Sequence, residues 1–170
     1  GPFCYAHREA GIYWVAPPTV ARTYRSCKHV AYLPNLCVNE RQNSVVAALR
    51  FFNQIDFYDL KGTYQRSFTY GKEPIVPLLK KNDTQVDVLG TTKCFIDIFG
   101  TDQYVYCLYD GSADFSNLST LLVLSWDGQL KKRLNFDRSI KRIAVDPSDR
   151  FLVALALDES GALDVVKDSI

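Results

Sequence analysis

The chain has 170 residues, 47% of them hydrophobic and 13% aromatic, which is enough apolar material for a sizeable core built on pleated surfaces. Lys and Arg number 20 against 19 Asp and Glu, so the formal charge is +1 and electrostatic capture of nucleic acid is not indicated. No apolar run reaches the roughly 18–20 residues of a membrane span, so no transmembrane segment is expected.

Residues 1–30 match no strand pattern that can be assigned to a sheet, apart from Gly11 to Val15, which is expected to serve as a closing strand for the far end of the fold. Gly1-Pro2 resembles the remnant of a cleaved purification tag, and the chain reads as a piece of a longer protein. His7 and His29 have no third ligand at a recognisable spacing, so no metal is expected there.

From residue 31 the sequence repeats a strand, turn and strand unit. Ser44 to Leu49 and Gln54 to Tyr58 are apolar runs, and Asp59-Leu60-Lys61-Gly62 then leads into Thr63 to Phe68. Gly supplies the positive φ of a tight hairpin turn. Arg50, Phe51, Phe52, Asn53 and Gln54 join two strands, where loops can line a face, and they are taken as candidate binding residues. The second unit repeats the pattern with Gln103 to Tyr109, Asp110-Gly111, Thr120 to Trp126, Asp127-Gly128 and Gln129 to Phe136. The Gly62 to Gly128 spacing exceeds the roughly 40–50 residues of common propeller repeats, so insertions are expected at Gly71 to Asp83 and Gly111 to Asn117. The third unit has Ile140 to Val145, the turn Asp146-Pro147-Ser148-Asp149-Arg150, Phe151 to Leu157, and a last strand near Ala162 to Lys167. Pro147 presets φ in that turn and Asp146 can accept its local hydrogen bonds. The blades are therefore expected at about 31–72, 86–136 and 139–170, with only short helices.

The chemistry-bearing residues are sparse. Of five cysteines, Cys94 and Cys107 read as small core residues, Cys4 with Cys27 is a candidate disulfide, and Cys37 has no assigned role. Asp110, Ser112 and Asp114 offer closely spaced oxygens but lack the distal Glu of a calcium loop; they read as a polar loop and as further candidate binding residues. Asn82-Asp83-Thr84 and Asn117-Leu118-Ser119 read as exposed loops, Trp126 and Tyr58 as packing residues, and Lys131-Lys132-Arg133 as a solvated edge. No catalytic residue and no cofactor is assigned.

Tyr32 to Asn39 with Val45 to Gly62, Tyr104 to Gly111 with Leu122 to Gly128, and Ile143 to Asp146 resemble the TolB-like six-bladed β-propeller family of bacterial envelope proteins. The resemblance covers about residues 30–168 and implies an all-β fold of three antiparallel blades, half of a six-bladed ring. It implies a protein of the cell envelope, periplasmic or lipid-anchored in its full-length form, and the absence of any clustered acid, base, nucleophile or metal set favours a non-catalytic binding or scaffolding role with a protein or glycan partner. The alternative is a propeller hydrolase or lyase acting on a carbohydrate or peptide, for which Asp56, Asp97, Arg142 and Asp146 would have to converge. A homodimer or a further N-terminal half would complete the ring.

Overall fold

The computed structural model describes residues 3–7, 11–15, 24, 26–81, 84–158 and 160–170. The first element is a hairpin of β1 (Phe3–His7) and β2 (Gly11–Val15), followed by the single-turn helix α1 (Lys28–Ala31). The segment expected to close the last sheet thus pairs with its close sequence neighbour, a contact of low loop-closure entropy.

Three antiparallel sheets follow, each a meander in chain order. The first contains β3 (Pro34–Asn39), β4 (Ser44–Leu49), β5 (Gln54–Tyr58) and β6 (Tyr64–Thr69). The second contains β7 (Lys93–Gly100), β8 (Tyr104–Ser112), β9 (Thr120–Ser125) and β10 (Leu130–Asn135). The third contains β11 (Ile140–Val145), β12 (Phe151–Leu157) and β13 (Leu163–Ser169). The sheets stack face to face, with the leading strands β3, β7 and β11 packed in succession. Consecutive meanders with their first strands innermost are the blades of a β-propeller.

Two apolar layers hold the stack together. Val46, Ala48, Ile55 and Phe57 of the first sheet meet Phe95, Val105, Cys107 and Leu124 of the second. On its opposite face the second sheet presents Ile96, Tyr106, Leu108 and Leu121 to Ile143, Leu152 and Ala154 of the third. Strand β8 therefore alternates between two cores, and its uninterrupted apolar run is the mark of a strand covered on both sides. The β9–β10 hairpin turns through Gly128 at φ 84°, where a Cβ would lie 3.2 Å from Arg66 and Phe57. Asp146 accepts from the backbone N–H groups of Ser148, Arg150 and Phe151, which fixes the β11–β12 turn as its Asp-Pro start predicts. Lys131, Lys132 and Arg133 are exposed on the edge strand β10, and Trp126 and Tyr58 are buried.

Candidate functional site

The hairpin turns β3–β4, β7–β8 and β11–β12 lie at one end of the stack and enclose a cleft of about 470 Å³. Val38, Phe99, Val145 and Pro147 form its apolar floor, and Asn39, Glu40, Arg41, Thr101 and Asp102 form its polar rim. The β3–β4 turn is fastened to the β7–β8 turn, and the β11–β12 turn to strand β8. Asn39, buried at the end of β3, donates through Nδ2 to the carbonyls of Thr101 (3.5 Å) and Asp102 (3.4 Å), while Gln42 donates to Asp102 O at 2.8 Å. Trp126 Nε1 donates to Thr101 O at 3.0 Å, and Tyr106 OH donates to Asp149 Oδ1 at 2.7 Å. Arg41 and Asp102 form an ion pair at 2.7 Å, but with 81% and 68% of their side chains exposed it contributes at most about 1 kcal/mol to stability. Its charges remain available to solvent and to a ligand.

The candidate loop Arg50–Gln54 lies elsewhere and is largely internal. Phe51 and Phe52 are 2% and 3% exposed, and Phe52 stacks on Tyr32 with ring centroids 5.0 Å apart. Asn53 is buried too, donating to the carbonyls of Tyr70 and Glu73 and accepting from Ile75 N–H, so it fixes the connection to the second sheet. Gln54 donates to Asp56 Oδ1 and Ser67 Oγ. Arg50 is half-buried, and its pKa is lowered by burial and by the nearby Arg142, with Asp97 opposing.

The second candidate group organises its own loop. Asp110 is buried; its Oδ1 accepts from the Ser112 N–H and hydroxyl, and its Oδ2 has no hydrogen-bond partner. Asp114 is exposed and accepts from Ser116 N–H at 3.2 Å. Two lysines that sequence reading passed over hold this loop. Lys93 is buried and donates to the carbonyls of Val88, Leu89 and Ala113, and Lys141 donates to Phe115 O and Ser139 Oγ. Both ammonium groups sit 5.6 Å from the Phe115 ring centroid. The signal was a lysine heading the apolar run Cys94-Phe95-Ile96, where a charge requires a compensating set of acceptors.

The four residues a propeller enzyme would need are placed in separate structural roles. Asp56 is enclosed within the first sheet by Gln54, Ser67 and Tyr58, and burial raises its pKa despite their hydrogen bonds. Asp97 on β7 accepts from Ile143 N–H of β11 at 2.9 Å, Asp146 ties its own turn, and Arg142 donates to Lys141 O. Asp97 and Arg142 share a neighbourhood with Arg50, and Asp56 and Asp146 serve other sites.

Cys27, Cys94 and Cys107 are buried and Cys37 half-buried, and all four are free thiols; Cys27 packs beside Tyr24 and Tyr32, and the side chain of Cys4, its expected partner, lies outside the described residues. Burial pushes the Cys37 and Cys94 thiols up to about 12, which keeps them protonated and unreactive at neutral pH. Asn117 and Leu118 are exposed as expected, whereas Ser119 is buried and bonded to Ile140; Asn82 and Asp83 lie outside the described residues.

Among the described residues no helix is long and apolar enough to cross a membrane. No family model matches the chain, and no curated protein matches it significantly. Solved structures that resemble it include the WD40 domain of SCAP from fission yeast, at 12% identity and a TM-score of 0.39, over 81% of this chain and 29% of that one. BamB from Moraxella catarrhalis matches at 12% identity and a TM-score of 0.30, over 76% of this chain and 41% of that one. The chain spans less than half the length of either, and the assignment of blades rests on its own strand order and inter-sheet packing.

Proposed function

We propose that this chain is a non-catalytic binding or scaffolding unit of a TolB-like six-bladed propeller in the bacterial cell envelope, where it holds a protein or glycan partner. Three blades make half of that ring, and a second copy or a further N-terminal half supplies the rest. The supporting observation is the three-turn cleft: an apolar floor drawn from three separate sheets and a charged rim drawn from two of them, whose turns are tied together by hydrogen bonds. Loops fixed on a rigid scaffold lose little entropy on binding, which favours specific recognition. Arg50, Gln54, Ser112 and Asp114, which keep side-chain surface, are secondary contact candidates.

Probing peptide and glycan arrays with labelled protein tests this reading. Hits that vanish in the Arg41→Ala/Asp102→Ala double variant, with the melting temperature unchanged, support it. Hits indifferent to that variant, or turnover of an arrayed carbohydrate or peptide that disappears in Asp97→Asn, would overturn it in favour of another site or of the hydrolase or lyase alternative.

A further inference from the structure

The β3–β4 turn has two sides. Glu40 and Arg41 border the cleft, whereas Gln42 and Asn43 border a second pocket of about 310 Å³, completed by the β5–β6 and β9–β10 hairpins of the first and second sheets. Arg66 on β6 ties those two hairpins together, its Nη1 donating to Asp127 O at 2.8 Å. The buried rings of Phe57, Tyr58 and Trp126 close the base. This volume lies at the lower end of the roughly 300–1,000 Å³ range in which small ligands are held, which suits one ring-sized unit.

Four planar polar groups line that space, and each is held by one atom while another stays open among the described residues. Gln42 donates through Nε2 to Asp102 O at 2.8 Å, leaving Oε1. Asn43 accepts at Oδ1 from Leu60 N–H at 3.3 Å, leaving Nδ2. Asp59 accepts at Oδ1 from the N–H groups of Lys61 and Thr63 at 2.9 and 2.8 Å, leaving Oδ2. Arg66 keeps Nη2 and Nε. Two groups thus offer acceptors and two offer donors, all restrained before a ligand arrives, so binding costs little side-chain entropy.

The mixture selects the chemistry of the ligand. Asp59 and Asp127 disfavour an anion, Arg66 disfavours a cation, and an apolar group would strip water from all four side chains without replacing it. A hydroxyl donates and accepts at once, so neighbouring hydroxyls on one ring can engage an open acceptor and an open donor together. An extended peptide, by contrast, satisfies its backbone along a sheet edge, and a compact space between turns gives it no such row of partners.

We infer that this pocket is a subsite for one neutral sugar ring, with Gln42 and Asp59 accepting from its hydroxyls and Asn43 and Arg66 donating to them. The inference rests on the reading of the turn end of the stack as a binding face, and it narrows the partner held there to a glycan.

Titrating isotope-labelled protein with methyl glycosides of neutral hexoses and N-acetylhexosamines, followed by the side-chain amide resonances of Gln42 and Asn43, tests it. At least one glycoside should shift both resonances saturably, with a dissociation constant of about 1 mM or below. Asp59→Asn and Arg66→Gln should each weaken that binding by about tenfold or more, and Lys167→Ala on β13 of the third sheet should leave it intact. Asp59→Asn keeps an acceptor for the two backbone hydrogen bonds of the turn, so its effect reads the open atom and not the fold. No shift with any glycoside, shifts indifferent to both pocket variants, or shifts produced by array peptides and by no glycoside would overturn the inference. Each of these results leaves the cleft reading standing, because its array hits depend on Arg41 and Asp102; array hits indifferent to Arg41 and Asp102 leave the glycoside titration unaffected.

Discussion

Replacing Phe52 by Ala separates a packing role from a binding role at the loop that joins β4 to β5. The ring is 3% exposed, stacks on Tyr32 at 5.0 Å, and meets Tyr24 edge-on at 5.8 Å, in a cluster with Cys27, Leu49 and Val86. This cluster fastens the α1 segment and the 75–86 connection onto the first sheet, and Tyr24 adds a hydrogen bond to Pro77 O. Truncating a buried Phe costs about 3–5 kcal/mol, the lost transfer energy plus the cavity left behind. At roughly 2–4 °C per kcal/mol for a chain of this size, the melting temperature should fall by roughly 6–20 °C. Urea unfolding followed by both tryptophan fluorescence and far-ultraviolet circular dichroism measures the loss and checks that the two probes coincide. A loss below about 1 kcal/mol would show that the cluster is not packed and would return Phe52 to the candidate binding surface.

The Asp97 bridge between sheets predicts a graded pair of variants. Asp97→Ala leaves the Ile143 N–H without its acceptor and should cost about 1.5–3 kcal/mol, whereas Asp97→Asn keeps an acceptor oxygen and should cost less than half as much in the same urea titrations. Equal losses would show that Asp97 acts through charge alone. Asp56 predicts a pH dependence. Burial raises its folded pKa above the ordinary aspartate value of 3.8, so the folded state binds the proton more tightly and stability declines as pH rises from that value through the folded pKa. Subtracting the stability curve of Asp56→Asn from that of the wild type should expose this decline, and a difference that rises with pH would contradict it.

Much of the architecture was legible because turn chemistry is local. Gly62 and Gly128 adopt positive φ, as their hairpins require, and Asp146-Pro147 starts the turn between β11 and β12. The candidate site was less legible, because it depends on which turns meet in space. Asn39 comes from the first sheet and Thr101 and Asp102 from the second, and no spacing in the chain announces their contact. Phe51 and Phe52 interrupt two strands and so resemble an exposed aromatic loop; what buries Phe52 includes Tyr24 and Tyr32, from a stretch without strand periodicity. Lys93 was missed because a lysine beside an apolar strand ordinarily marks its solvated end, whereas here three carbonyls replace its water.

The second strands of the three sheets tie architecture to recognition. β4, β8 and β12 are each apolar on both faces, and β8 shows what that pattern serves, since its alternate residues enter two different cores. The same pattern at β12, beside the exposed Leu163 and Val165, leaves an apolar second side open to solvent, unlike that of β8. On the first sheet the corresponding outward positions Ala47, Leu49 and Tyr58 are already covered within the chain, so the exposure of Val38 on that face is confined to its place in the cleft floor.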